Sequence, residues 1–118
     1  MTASQNLTLA ALRSLDLEQA EAAHPIHPGE ILREEFLIPL NVSAGAVARA
    51  CGVPRTRIER IATEATGIST DTALRLGRYF GTTPTFWLNL QRAFELQILE
   101  REIGAEIAQI APLTRDAA

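Results

Sequence analysis

The fold is decided by one stretch of the chain, Val42-Ser43-Ala44-Gly45-Ala46-Val47-Ala48-Arg49-Ala50-Cys51-Gly52-Val53-Pro54-Arg55-Thr56-Arg57-Ile58-Glu59-Arg60-Ile61. Ser43 is a favourable N-cap for a first short helix, and Gly52 is suited to end it. The small Ala48 allows a second helix to cross closely, while Val53 and Ile58 pack that helix against the first. The stretch therefore predicts a helix-turn-helix whose second helix begins at Pro54.

Positive charge is concentrated in this second helix, although the chain as a whole is acidic. The 118 residues include 11 basic residues, all of them arginine, and 14 acidic ones, which gives a net charge of −3. Residues 49–60 carry four of the arginines and a single glutamate, so this window has a net charge of +3. The total charge argues against nucleic-acid binding, whereas the placement of the charge favours one basic face that DNA could approach.

Arginines at the start of such a helix have a definite chemical use. A recognition helix enters the major groove with its N-terminal residues toward the base edges, where an arginine fork can grip guanine O6 and N7. Neighbouring arginines suit phosphates, which fix the register on the duplex. We expect base contacts from Arg55, Thr56 and Arg60 and phosphate contacts from Arg49 and Arg57, with Ser43 completing the set of DNA-binding candidates. The alternative is an ordinary helical bundle with a solvated, arginine-rich face.

Short helices with clear start and stop signals make up much of the remaining chain, and strand signals are nearly absent. Helices are predicted from Pro28 until Pro39, from the N-cap Ser69 until Gly81, and from Pro84 to about Ile110. The predicted fold class is therefore all-α. We divide the chain into an N-terminal arm over residues 1–27, a helix-turn-helix domain over residues 28–94, and a C-terminal helix extension with a tail over residues 95–118.

Several motifs accompany the helix-turn-helix in a fixed order. The helical part opens with His27-Pro28-Gly29-Glu30-Ile31-Leu32-Arg33-Glu34-Glu35-Phe36-Leu37, and the turn reads Gly52-Val53-Pro54-Arg55-Thr56-Arg57-Ile58. These are followed by Gly67-Ile68, Asp71-Thr72-Ala73-Leu74-Arg75-Leu76, Arg78-Tyr79-Phe80-Gly81-Thr82 and Phe86-Trp87-Leu88-Asn89-Leu90-Gln91. On these motifs, residues 27–94 resemble the HigA-type antitoxins, a branch of the Xre-like helix-turn-helix regulators.

The resemblance implies a five-helix domain of the Xre and lambda-repressor kind. Members of the family bind operator DNA as dimers, repress their own operon, and neutralise a RelE-like ribonuclease toxin by direct binding. The partners implied for this chain are therefore double-stranded operator DNA, a second copy of the chain, and a RelE-like toxin.

Two segments depart from the family pattern. Ala44-Gly45-Ala46 stands where glutamine or another polar residue is usual, and Thr63-Glu64-Ala65-Thr66 stands where the family has an Asn-Gly-Lys/Arg turn. Both regions commonly touch phosphates in such folds, and the loss of several phosphate contacts should weaken affinity and flatten its salt dependence. Either other groups hold the operator or this chain binds DNA weakly.

An apolar stripe follows the last predicted helix beyond the domain, through Leu96, Leu99, Ile103, Ile107 and Ile110. A lone helix with such a stripe calls for a partner, and a twofold-related copy would also pair two recognition helices. We predict dimerisation contacts at Trp87, Leu90, Phe94, Leu99 and Ile103, although the aromatic members of this region also suit the domain core. The leucines of the N-terminal arm either pack on the domain or contact the toxin.

Other classes of function find little support. The sequence has no nucleophile elbow, phosphate-binding loop or dinucleotide fingerprint, so we expect neither a catalytic residue nor an enzyme. His24 and His27 are separated by Pro25 and lack a Cys or carboxylate cluster, so no metal or cofactor is expected, and His27 is expected to cap the helix at Pro28. A membrane span and a secretory signal are not expected, and a lone Cys51 suits core packing in a cytoplasmic protein.

Two alternative functions stay open at this point. A stand-alone helix-turn-helix repressor would have no toxin partner, and an adjacent small toxin-like reading frame would argue against it. An interaction module with a decayed DNA-binding surface would act only through its protein partner, and a gel shift with the chain's own upstream DNA would distinguish it.

Overall fold

The structure is a computed structural model that describes residues 24–114. Five helices and no strand are present in that part of the chain, which confirms the all-α, five-helix prediction. The helices are α1 (Pro28–Ile31, Leu32–Leu37 and Ile38–Leu40 in succession), α2 (Ala44–Cys51), α3 (Arg55–Ala62), α4 (Thr70–Phe80) and α5 (Pro84–Ile107). The N-terminal arm up to residue 23, with the leucines of the predicted amphipathic segment, lies outside the described residues.

The first helix, α1, runs through three consecutive segments, Pro28–Ile31, Leu32–Leu37 and Ile38–Leu40. His27 is its N-cap and accepts a hydrogen bond from the Gly29 N–H on Nδ1 at 2.8 Å, which confirms the predicted cap. The prediction that Pro39 ends this helix is wrong, because the helix continues to Leu40. The middle segment is a π-helix, a wider turn that relieves the clash between a proline ring and the carbonyl of the preceding turn.

The other helix boundaries follow the predicted caps closely. Ser43, Ser69 and Thr83 each accept a backbone N–H three residues along, and each begins a helix as expected. Gly52 and Gly81 adopt left-handed φ angles of 73° and 79° at the ends of α2 and α4, a conformation that glycine adopts without strain.

The core lies where α1, α2, α3 and α4 meet the first half of α5. Its largest fully buried side chains are Trp87, Leu32, Ile58, Ile61, Leu76 and Val47. Burying an aliphatic or aromatic side chain of this size stabilises a fold by about 1.5–3 kcal/mol. The N-terminal half of α5 is thus an integral part of the domain.

The C-terminal half of α5 leaves this core. Leu96, Leu99 and Ile107 are half-exposed or more, which makes the predicted apolar stripe a real surface of the chain. Ile103 has a non-helical backbone (φ −124°, ψ 16°), so the helix bends there, directly before Gly104. Within residues 24–114, every helix is too short or too polar to cross a lipid bilayer.

Candidate nucleic-acid interface

The helix-turn-helix predicted from the sequence is formed by α2, the turn at Gly52 and α3. The turn is closed by a hydrogen bond from the Val53 N–H to the Ala48 carbonyl at 3.0 Å. Val47, Ala48 and Ile58 are buried between the helices, so α2 and α3 are held in one geometry. We call α3 the recognition helix from here on.

Residues on the outer face of the recognition helix project away from the core. Ile58, Ile61 and Ala62 are buried, whereas Thr56 and Arg60, which lie four residues apart and therefore on one face, are exposed. No ion pair involves Arg49 or Arg60 within the part of the chain that the structure describes. Their guanidinium groups are thus available to bases or phosphates.

Arg55 lies on the side of the recognition helix that faces α2. Its Nε is 3.1 Å from Glu59 Oε2, and its side chain is 70% exposed. The aliphatic part of Arg55 lies over Gly45, where an added Cβ would come within 3.1 Å of Arg55 Cδ. Arg49, Arg55 and Ser43 line one open groove between the two helices. The small residues at the start of α2, one of the departures from the family pattern, therefore make room for an arginine.

Arg57 lies on the opposite side of the recognition helix, toward α4. Its Nη1 donates to Asp71 Oδ2 at 2.6 Å, and the same oxygen accepts from Arg75 Nε at 2.9 Å. Arg75 Nη1 also donates to the Cys51 carbonyl at 2.7 Å, at the C-terminal end of α2. Hydrogen bonds from Arg75 and then Arg57 hold the pKa of Asp71 below its ordinary value, so the carboxylate stays charged.

Arg33 fixes the far end of the recognition helix. Its Nη1 donates to the Ala62 carbonyl at 2.5 Å, and its Nη2 lies 3.2 Å from Glu64 Oε2. A cation at a helix C-terminus also interacts favourably with the helix dipole. Glu64 has a left-handed φ of 66° in the turn where the family uses Asn-Gly, and Arg33 offsets the negative charge that would repel DNA there.

The structure places the six predicted DNA-binding residues on α2, on its N-cap and on α3, but in three different settings. Thr56 and Arg60 face outward, the groove toward α2 holds Arg55 with Arg49 and Ser43, and Arg57 is tied to α4. Sequence reasoning missed Arg33, Asp71 and Arg75. Asp71 and Arg75 lie four residues apart on α4, but the contacts that join them and Arg33 to α2 and α3 span 14 to 29 residues, so no local pattern indicates these contacts.

The predicted dimerisation residues differ in how far their side chains are buried. Trp87 is 0% exposed, and its Nε1 donates to Thr82 Oγ1 at 2.8 Å. The assignment of Trp87 to a dimer interface is therefore corrected, since this side chain belongs to the core of its own chain. Phe94 is partly covered by His27, with ring centroids 4.8 Å apart, whereas Leu99 is half-exposed.

His27 and Cys51 are both wholly or partly buried in the domain. His27 is buried, and burial lowers the pKa of its imidazole below the ordinary value of 6.5. Cys51 is half-buried, and burial raises the pKa of its thiol. Residues 24–114 contain no group of three or more His, Cys, Asp or Glu side chains that could hold a metal ion.

Relatives at the sequence level include both regulators and antitoxins, while no family model matches the chain. Virulence-associated protein I of Dichelobacter nodosus is 51% identical over 92 residues, which cover 78% of this chain and 84% of that protein. Antitoxin HigA-1 of Vibrio cholerae is 33% identical over 89 residues, which cover 75% of this chain and 84% of that protein.

Solved structures with the same fold include two with DNA. Pseudomonas aeruginosa antitoxin HigA, solved with the higBA promoter, is 47% identical with a TM-score of 0.73 and covers 76% of this chain and 99% of its own. Antitoxin GraA in complex with its operator is 50% identical with a TM-score of 0.72 and covers 76% of this chain and 92% of its own.

Proposed function

The chain belongs to the HigA-type antitoxin family of Xre-like helix-turn-helix regulators, and on this premise we propose that it represses its own operon and neutralises a RelE-like ribonuclease toxin. Operator DNA is bound in the major groove by the recognition helix of each copy in a dimer. The toxin is neutralised by direct binding. Both activities belong in the cytoplasm, where the operon is.

The observation that carries the DNA-binding part is the exposed arginine face on a rigidly held recognition helix. Arg60 and Thr56 point outward, and Arg55 lies at the tip beside α2. These three residues read base edges, and Arg49, Arg57 and Ser43 contact the backbone on either side. Two structural relatives at 47% and 50% identity are complexes with promoter or operator DNA, which supports the same use of this face.

Dimerisation is proposed through the part of α5 that runs from Leu90 to Ile103. Leu90 and Phe94 are partly buried, Ile103 likewise, and Leu99 is half-exposed, so these side chains leave apolar surface for a second copy. A twofold dimer places two recognition helices on successive major grooves, and its operator would be palindromic with half-sites about 34–36 Å apart.

The DNA-binding part is tested by a gel shift with the chain's own upstream DNA. Arg55→Ala should reduce the preference for that DNA over a scrambled duplex by about 5- to 150-fold for each protomer, because one base contact worth about 1–3 kcal/mol is lost. Arg57→Ala should weaken binding to both duplexes alike, because a phosphate contact is shared by all sequences. If the unaltered chain gives no specific gel shift at low salt, the alternative of an interaction module with a decayed DNA-binding surface is favoured instead.

The antitoxin part is tested by co-expression with the product of the neighbouring gene. Copurification of a small ribonuclease that is inactive in the complex is expected, and its absence would favour a stand-alone repressor. Deletion of residues 1–26 locates the contact. A toxin contact through the N-terminal arm predicts loss of toxin affinity, and full retention would place the contact elsewhere.

A further inference from the structure

The carboxylate of Asp71 on α4 accepts hydrogen bonds from two arginines that lie on different helices. Arg75 belongs to the same helix as Asp71 and is also held by the Cys51 carbonyl, so it is anchored to the body of the domain. Arg57 belongs to the recognition helix and reaches across to the same Asp71 oxygen, with a longer contact of 3.5 Å to Thr72 Oγ1. Two cations therefore converge on one anion, and only one of them lies on the helix that approaches DNA.

The Arg57–Asp71 pair is easily exchanged. The side chains of Arg57 and Asp71 are 40% and 53% exposed, and exposed ion pairs are weak because water and salt screen them. Arg75 remains on the carboxylate when Arg57 leaves, so the exchange does not strand an unpaired charge. A phosphate oxygen offers Arg57 the same kind of charged acceptor that Asp71 offers.

We propose that Asp71 holds the Arg57 guanidinium in the free protein and that a DNA phosphate takes the place of Asp71 in the complex. The inference rests on the proposed DNA-binding function. Asp71 is a positioning residue that holds the Arg57 side chain toward α4 and competes with phosphate for it. Since phosphates are the same in every duplex, this competition lowers affinity for all DNA and leaves base preference unchanged.

The experiment is a double-mutant cycle on the full chain, read by fluorescence anisotropy with the operator duplex and a scrambled duplex over a range of salt. The variants are Asp71→Asn, Arg57→Ala and the double variant. Asp71→Asn should bind both duplexes tighter by about 1.5- to 5-fold for each protomer of the dimer, the range expected when one exposed pair no longer competes. In the Arg57→Ala background, Asp71→Asn should have no effect. The salt slope should be shallower by about 1.8, because the dimer loses two phosphate contacts, each of which contributes about 0.9.

Glu64→Gln is the matched control, because Glu64 is also half-exposed and paired with an arginine, but with Arg33 of α1 rather than with the recognition helix. Its effect should be the same with and without Arg57. Asp71→Ala, made with and without Arg57→Ala, measures the coupling between Asp71 and Arg57 a second time. Urea unfolding verifies that each variant is folded.

Three results would overturn the inference. Weaker binding by both Asp71 variants would mean that the carboxylate only supports the fold. An equal gain with and without Arg57 would mean that Asp71 acts as a general negative charge. Failure of the unaltered chain to bind its operator at low salt would remove the proposed DNA-binding function itself, a result distinct from the other two.

Discussion

Gly29 is the place where α1 touches the recognition helix, and Gly29→Ala should loosen this contact. A Cβ built on Gly29 would overlap the Ile61 carbonyl oxygen and lie 2.9 Å from the Ile61 carbonyl carbon. The obstacle is backbone rather than the end of a flexible side chain, so α1 and the recognition helix would have to move apart. The Arg33 contacts that fix the end of the recognition helix lie beside this site.

The size of the effect follows from two opposing terms. Forcing extra atoms into a packed core costs about 1–3 kcal/mol and occasionally more. Alanine is favoured over glycine in a helix by about 1 kcal/mol at most, so it offsets only part of that cost. We expect the free energy of unfolding to fall by about 2 kcal/mol, which is large against the 5–15 kcal/mol of a typical domain.

Urea denaturation followed by the fluorescence of the fully buried Trp87 measures this change. The matched control is Gly104→Ala, because a Cβ there meets no atom within 4 Å, and this variant should be more stable by about 0.5–1 kcal/mol. Unfolding of Gly29→Ala within experimental error of the unaltered chain would refute the close approach of the two helices.

Three further predictions concern the surface, the cap and the long helix. Arg60→Ala should weaken operator binding by about 5- to 150-fold for each protomer, the equivalent of about 1–3 kcal/mol per lost base contact. Arg78→Ala alters an exposed arginine outside the interface and should change operator binding by less than about twofold. Fluorescence anisotropy measures both effects. Because burial lowers the pKa of His27, its contribution to the free energy of unfolding is complete above pH 6.5 and is lost as the pH falls through that lowered pKa. His27→Asn retains a capping oxygen and should therefore flatten the pH dependence of the unfolding free energy, measured in urea between pH 7 and 5.5. An unchanged pH profile would contradict the lowered pKa of His27. Leu99→Glu should convert the proposed dimer to a monomer in sedimentation, whereas Leu113→Glu, beyond the end of α5, should leave the oligomeric state of the unaltered chain unchanged.

Most of the fold could be predicted from the sequence because its signals are local. Ser43, Ser69 and Thr83 cap the N–H groups of their own helices, and glycine ends α2 and α4. The residues that determine each of these boundaries therefore lie within a few positions of it. The prediction that the first helix ends at Pro39 was wrong, because a proline ends a regular α-helix but is tolerated after a π turn. The neighbouring sequence has no signal that predicts the π turn.

The candidate site could be predicted in its composition but not in its connections. The arginine cluster and its place on the recognition helix followed from residues 49–60 alone. The contacts that hold these arginines could not be predicted in this way, because Arg57 contacts Asp71 fourteen residues away and Arg33 contacts Ala62 twenty-nine residues away. Trp87 was placed at a dimer interface for a related reason, because spacing along a helix does not show which helices cover it.

The central claim, that the recognition helix reads operator DNA, is tested most directly by the ratio of two dissociation constants. Anisotropy titrations of the unaltered chain with its own upstream duplex and with a scrambled duplex, at physiological salt, give this ratio. Specific binding predicts a preference of at least about 10³-fold for the upstream duplex. Equal affinities for the two duplexes, at this salt and at low salt, would contradict the account.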